Sequence, residues 1–227
     1  MIKLIFINVI VFGLTTVSLF ATVIASTSFE NETATTTYID TGDSSKNHDL
    51  VNNAGESLVD STKASASAGD LGFNAAFINT GDDGGLTEGD DVGVTNLPSQ
   101  VGKFSQGVQG YQFEDTDGVV VLNFDPVDIT AHENVSLSVD IFMVATTWEP
   151  SDWVHIYVET DSGRVTMLNT KENDIDDIAI DGNTIEGAWS TLKAEIKGDK
   201  ASLVVAFESN SNNETMYIDN VVFEAKK

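Results

Sequence analysis

Within several runs of the chain apolar residues recur at every second position, and this period sets the fold class. Val135, Leu137, Val139, Ile141 and Met143 alternate with Ser136, Ser138, Asp140 and Phe142. Val154, Ile156 and Val158 alternate with Trp153, His155, Tyr157 and Glu159. Side chains on a strand point alternately to opposite faces, so this pattern predicts strands with one buried face. The runs 71–78, 119–124, 203–207 and 216–223 are rich in strand-forming residues. Asp117-Gly118, Ser162-Gly163, Asp181-Gly182-Asn183 and Lys197-Gly198-Asp199 supply turns between runs. No amphipathic helical pattern follows the N-terminal segment. Many strands with regular turns predict an all-β protein, a two-sheet antiparallel β-sandwich of jelly-roll type. The chain has no cysteine, which excludes disulfides, Cys-ligated zinc, iron–sulfur clusters and thiol catalysis. Rigidity must come from core packing, with bound metal as the natural supplement.

The N-terminal segment is of another kind. Lys3 precedes a nearly unbroken apolar run from Leu4 to Ala25, and Val23-Ile24-Ala25 before Ser26 has the form of a small-residue cleavage site. This predicts a signal peptide over residues 1–25, a single acidic domain over 26–227, and a secreted, extracellular protein. The run is also long enough for the rival reading, an uncleaved membrane anchor. From about Thr41 to Gly110 the chain is rich in Gly, Asp, Asn and Ser. Long loops crossing one end of the sandwich are expected there, and such loops are usually functional or held by a ligand.

Charge narrows the partners. Thirty-six acids stand against eleven Lys and Arg, for a formal net charge of −25. Such a surface repels nucleic acid and anionic membranes and attracts divalent cations, basic partners and cationic mineral faces. Three groups of acids carry possible ligand chemistry. Glu30 lies in the first segment and Asp219 in the last, and carboxylates with loop carbonyls are the oxygen ligands that calcium takes, six to eight at a time. Asp40, Asp43 and Asp49 lie in one short segment with His48 and add candidate ligands. The run 79–91 packs five acids among four glycines without the spacing of an EF-hand, and reads equally as a weak cation site or a solvated loop. Separately, Trp148 and Trp153 flank Glu149 and Asp152. Two indoles with neighbouring carboxylates can stack on a sugar ring and bind its hydroxyls; indoles also commonly pin loops to a core. Catalytic signatures are missing: there is no G-x-S-x-G, H-E-x-x-H or P-loop, and carboxylate pairs are too abundant to single out a glycosidase pair.

Ser28-Phe29-Glu30-Asn31 and Tyr217-Ile218-Asp219-Asn220-Val221-Val222-Phe223 together resemble the ends of galactose-binding-like jelly rolls among carbohydrate-binding modules. That resemblance implies a structural calcium shared by Glu30 and Asp219. The order of six segments, 28–31, 38–43, 47–52, 85–95, 107–112 and 217–223, is also similar to a β-sandwich domain of secreted marine bacterial proteins and of acid-rich skeletal organic matrix proteins of stony corals. It implies an extracellular matrix or biomineral setting. The chain lacks the long Asp-rich stretches of the coral proteins and the catalytic domain that accompanies the bacterial ones.

The expectation is therefore a secreted, non-catalytic calcium-binding matrix or surface protein with divalent cations, matrix or mineral as partners. The alternative is a carbohydrate-binding module that recognises an extracellular glycan through Trp148, Glu149, Asp152 and Trp153. A secreted hydrolase is a third and weaker reading.

Overall fold

A computed structural model describes residues 21–30, 32–34, 46–50, 63–65, 67–80, 86, 90–98, 100–180 and 182–226. In chain order the strands are β1 (Ala21–Thr27), β2 (His48–Asp49), β3 (Phe73–Ile78), β4 (Asp91–Thr95), β5 (Gly110–Glu114), β6 (Gly118–Phe124), β7 (Val127–Asp128) and β8 (Val135–Met143). They continue with β9 (Trp153–Thr160), β10 (Gly163–Asn169), β11 (Ala179–Ile180), β12 (Asn183–Thr184), β13 (Ser190–Ile196), β14 (Lys200–Ser209) and β15 (Thr215–Lys226). Among the described residues the one helical element is a 3₁₀ turn at Ile175–Asp177. Among the described residues no helix is long and apolar enough to cross a membrane.

Two antiparallel sheets form the sandwich. The first has the order β13-β8-β15-β5-β4, with β1 also on β15. The second runs β10-β9-β14-β6-β3-β2, with β7 on β14. Strands β11 and β12 form a separate ribbon. The inward rows are the apolar ones that the alternation predicts: Leu137, Val139 and Ile141 of β8 face Val154, Ile156 and Val158 of β9 in one buried cluster. At one end Phe29, Phe73, Tyr111 and Phe124 interlock, with Phe29 and Phe73 centroids 5.3 Å apart at 63° and Phe29 and Tyr111 5.8 Å apart. Such tilted ring packing adds to the burial of the rings themselves.

Strand β15 organises the first sheet. One edge pairs with β8 almost throughout. The other pairs with β5 over Thr215–Ile218 and with β1 over Val221–Lys226. The changeover falls at a bulge between Asp219 and Val222, where Asn220 has φ 49°. A bulge bends its strand and leaves a residue unpaired, so two neighbours can share the edge.

The first strand begins at Ala21, five positions before the expected domain start at Ser26, because the end of the apolar run pairs with the last strand. Ala21 stands opposite Lys226 and Ala25 opposite Phe223. The expected cleavage point after Ala25 thus lies inside β1, and cutting there would leave only Ser26 and Thr27 paired with β15. A chain beginning at Ala21 should therefore melt above one beginning at Ser26, by roughly 2–6 °C for the loss of a few net hydrogen bonds and some apolar cover. Differential scanning calorimetry of the two proteins tests this; equal melting temperatures would show that the first half of β1 adds nothing.

Candidate functional site

The predicted carboxylates separate in space. Glu30 and Asp219 both accept from backbone N–H groups of one loop, residues 101–109. Glu30 Oε1 accepts from the Val108 N–H at 2.8 Å and from the Gln109 N–H at 2.9 Å. Asp219, fully buried, accepts from the Gln106 N–H at 2.7 Å and from the Asn220 N–H at 2.6 Å. A side chain at Gly107, where φ is +64°, would collide with the Glu30 carboxylate, so glycine is what lets the loop close over it. Asp140 stands directly across the strand from Asp219. Like charges so placed repel. Donors offset this: Ser105 Oγ–H, the Asn220 side-chain amide at 3.0 Å and Thr191 Oγ–H at 2.5 Å all donate to Asp140. Burial, followed by the charges of Asp140 and Glu30, still pushes Asp219 up to about 7.

Asp49 does not join this cluster. It is exposed on β2, at the edge of the second sheet and opposite Ala76. Asp40 and Asp43 lie outside the described residues. Glu30, Asp140 and Asp219 do not bring one oxygen each within 4.8 Å of one another; among the described residues only Glu149, Asp152 and Glu214 do.

Trp148 corrects the expected indole pair. It is 1% exposed, packs edge-on against Phe207 at 6.3 Å, and donates from Nε1 to the Val144 carbonyl at 3.2 Å. A ring sealed in the core cannot stack on a sugar. Asp152 is also buried and holds the loop by accepting from the Glu149 N–H at 2.6 Å. Trp153 is different: it is partly exposed at the start of β9 and donates from Nε1 to Glu208.

Strand β9 places two further rings on the same outer face. Alternation puts Val154, Ile156 and Val158 in the core and leaves Trp153, His155 and Tyr157 partly exposed. His155 and Tyr157 centroids are 4.6 Å apart. The Arg164 guanidinium lies over Tyr157 at 3.9 Å from its centroid, and Lys171 lies over Trp153 at 4.3 Å. Each cation occupies one face of its ring and fixes it. Across the sheet the register sets Tyr157 beside Val204, then Asn123, then Asn74. His155 stands beside Ala206, then Val121, then Ala76, and Trp153 beside Glu208. The face is thus an aromatic row, a floor of small apolar side chains, and side-chain amides beyond it. At 3.3–3.4 Å per residue the row from Trp153 to Tyr157 is about 13 Å long. His155 Nε2 is buried with no hydrogen-bond partner. Burial, then Arg164 and Lys171, lowers the His155 pKa, which keeps the ring neutral and able to accept or donate. Tyr157 and His155 escaped the sequence reading as ligands, although their alternation on one strand was the signal.

No family model matches the chain, and no curated protein matches it in sequence. It is similar to the K1 cleaved adhesin domain of Lys-gingipain from Porphyromonas gingivalis W83, at 14% identity over 68% of this chain and 91% of that one, with a TM-score of 0.44. It is also similar to the carbohydrate-binding module TmCBM61 in complex with β-1,4-galactotriose, at 12% identity over 59% and 83% of the two chains, with a TM-score of 0.40. A third similar structure is the xylan-binding module CBM15, at 13% identity over 72% and 94%, with a TM-score of 0.37.

Several buried acids carry raised pKa values: Asp152 at about 6, Asp219 at about 7 and Glu214 at about 9, each chiefly through burial. The unfolded chain releases these protons near the ordinary carboxylate range, whereas the folded chain keeps them to higher pH. Folding then takes up protons, and stability falls as pH rises from about 4 to about 9. With chelator present, the melting temperature should drop from pH 5 to pH 7 and again to pH 9; a flat or rising profile by calorimetry would contradict it.

Proposed function

We propose that this is a non-catalytic glycan-binding module of an extracellular protein, with the outer face of β9, β14, β6 and β3 as its binding surface. The aromatic row Trp153, His155 and Tyr157 carries this reading. Sugar rings present apolar C–H faces that stack on aromatic rings, and hydroxyls that need side-chain amides, carboxylates or a neutral imidazole. Asn123, Asn74 and Glu208 supply those groups beside the row. A row about 13 Å long suits an oligosaccharide better than a single sugar. The extracellular setting is supported by the apolar N-terminal run, and the non-catalytic reading by the lack of a catalytic signature in the sequence.

A second reading keeps calcium as the organiser of an anionic matrix or surface protein. What favours it is the convergence of Glu30, Asp140 and Asp219 on the 101–109 loop, where donors alone offset three acids. The remaining surface acids support attraction of cations, basic matrix or mineral, without selecting among them.

Titration of the purified protein with soluble polysaccharides, including β-1,4-galactan and xylan, tests the first reading. Tyr157→Ala and Trp153→Ala should each weaken binding about tenfold, the loss of roughly 1.4 kcal/mol of stacking and burial. Failure of the wild type to bind any glycan, or full binding by both variants, would overturn it.

A further inference from the structure

We infer that Glu149, Asp152 and Glu214 form a divalent-cation site of calcium type, which ties the β8–β9 loop to the turn between β14 and β15. Each residue offers one carboxylate oxygen, and these oxygens all lie within 4.8 Å of one another. Asp152 and Glu214 are 2% and 1% exposed, whereas Glu149 faces solvent. Three acids at such range repel strongly once water is excluded. Among the described residues no salt bridge involves any of them.

The independent pointer is Glu214 Oε2, which is buried and has no hydrogen-bond partner. A buried carboxylate oxygen without a donor is costly, and the common remedies are a proton or a metal ion. The supports look built for a ligand. Asp152 is oriented because Oδ2 accepts from the Glu149 N–H at 2.6 Å, and the turn is closed by the Asp152 N–H donating to the Glu149 carbonyl at 2.9 Å. Glu214 is fixed through its own backbone, with its N–H donating to the Ser211 carbonyl at 3.0 Å and its carbonyl accepting from Ser209 Oγ–H at 3.4 Å. Trp148, one residue before Glu149, anchors that loop in the core. The carboxylates are thus held on two loop ends rather than on free side chains of a solvated surface.

The chemistry selects the ion. All three ligands are hard oxygens, with no imidazole or thiolate, which disfavours zinc and copper. Six carboxylate oxygens, one of them engaged by an N–H, with an open side at Glu149 for water, suit the six to eight flexible ligands of calcium better than strict octahedral magnesium. The site is separate from Glu30 and Asp219, and it does not depend on the glycan reading.

Isothermal titration of the full chain with calcium chloride, after removal of metal by chelator, tests the site. Trp148 and Trp153 flank it, so terbium bound there should show tryptophan-sensitised emission that calcium displaces. The wild type should bind calcium saturably and melt higher with it. Glu214→Gln and Glu149→Gln should each weaken that binding by at least about tenfold, and Glu30→Gln should leave it in place. Glu149 is exposed, so its variant keeps the fold and remains informative should Glu214→Gln misfold. Absence of calcium binding at 10 mM would overturn the proposal, because a shared proton would then be what holds the triad. Wild-type affinity in Glu149→Gln, with terbium emission unchanged, would overturn it equally.

Discussion

The shared edge of β15 is the constraint on which the first sheet depends. A twelve-residue strand that pairs with β8 on one side must find partners for its other side, or leave buried N–H and C=O groups unmet. Two short strands, β5 and β1, divide that edge between them. The division costs a bulge at Asp219 and Asn220, and a bulge beside a buried carboxylate needs local donors. The loop from 101 to 109 gives Asp219 the Gln106 N–H, and it gives Asp140 the Ser105 hydroxyl and Glu30 the N–H groups of Val108 and Gln109. The same loop lays Phe104 on Tyr217, so it also covers the outer face of the first sheet with a small apolar cluster. Chain ends, bulge and loop form one linked structure, in a protein with no disulfide to link them otherwise.

The consequence for the two outer faces is unequal. The first sheet has this loop over its outer side at Tyr217 and Asp219, and its acids there are turned inward to backbone donors. The second sheet keeps the outer row of β9 partly exposed. Its rings are braced by Arg164 and Lys171, two of only eleven Lys and Arg in the chain. Arg164 of β10 is itself paired with Glu159 of β9, the strand that carries Tyr157.

Much of the sandwich was legible because its alternation is strict. Val135–Met143 and the Trp153–Glu159 row read as strands from their period alone, and they are β8 and β9. The first strand was not, because Ala21–Ala25 closes a run whose composition also suits a signal peptide, and composition cannot tell a strand from a leader. Strands β2 and β7 are two residues long, too short for any period. The resemblance of the terminal segments implies a pairing of Glu30 with Asp219 around calcium, and it gave no sign of the backbone N–H groups of Gln106, Val108 and Gln109 from which these two carboxylates accept. The fate of Trp148 was hidden too: position beside a strand end says nothing of which way an indole turns, and here the core had room for it against Phe207. Glu214 was invisible for a different reason. It lies far along the chain from Glu149 and Asp152, and only the neighbouring of β9 and β14 brings the two loops together.

The acid excess and the aromatic face bear on each other. A net charge of −25 sets a repulsive field around the whole molecule, felt over about a Debye length of 8–10 Å at ordinary ionic strength. A polyanion approaching β9 would meet that field before it met Arg164 or Lys171, which are engaged with Tyr157 and Trp153. An uncharged glycan pays no such cost. Its apolar faces see the rings, and its hydroxyls see Asn123, Asn74 and Glu208. The charge that first suggests cations as partners therefore also narrows the glycan: under the proposed reading the ligand is a neutral polysaccharide, bound with little dependence on salt, while the cations belong to the buried carboxylates at the loop ends.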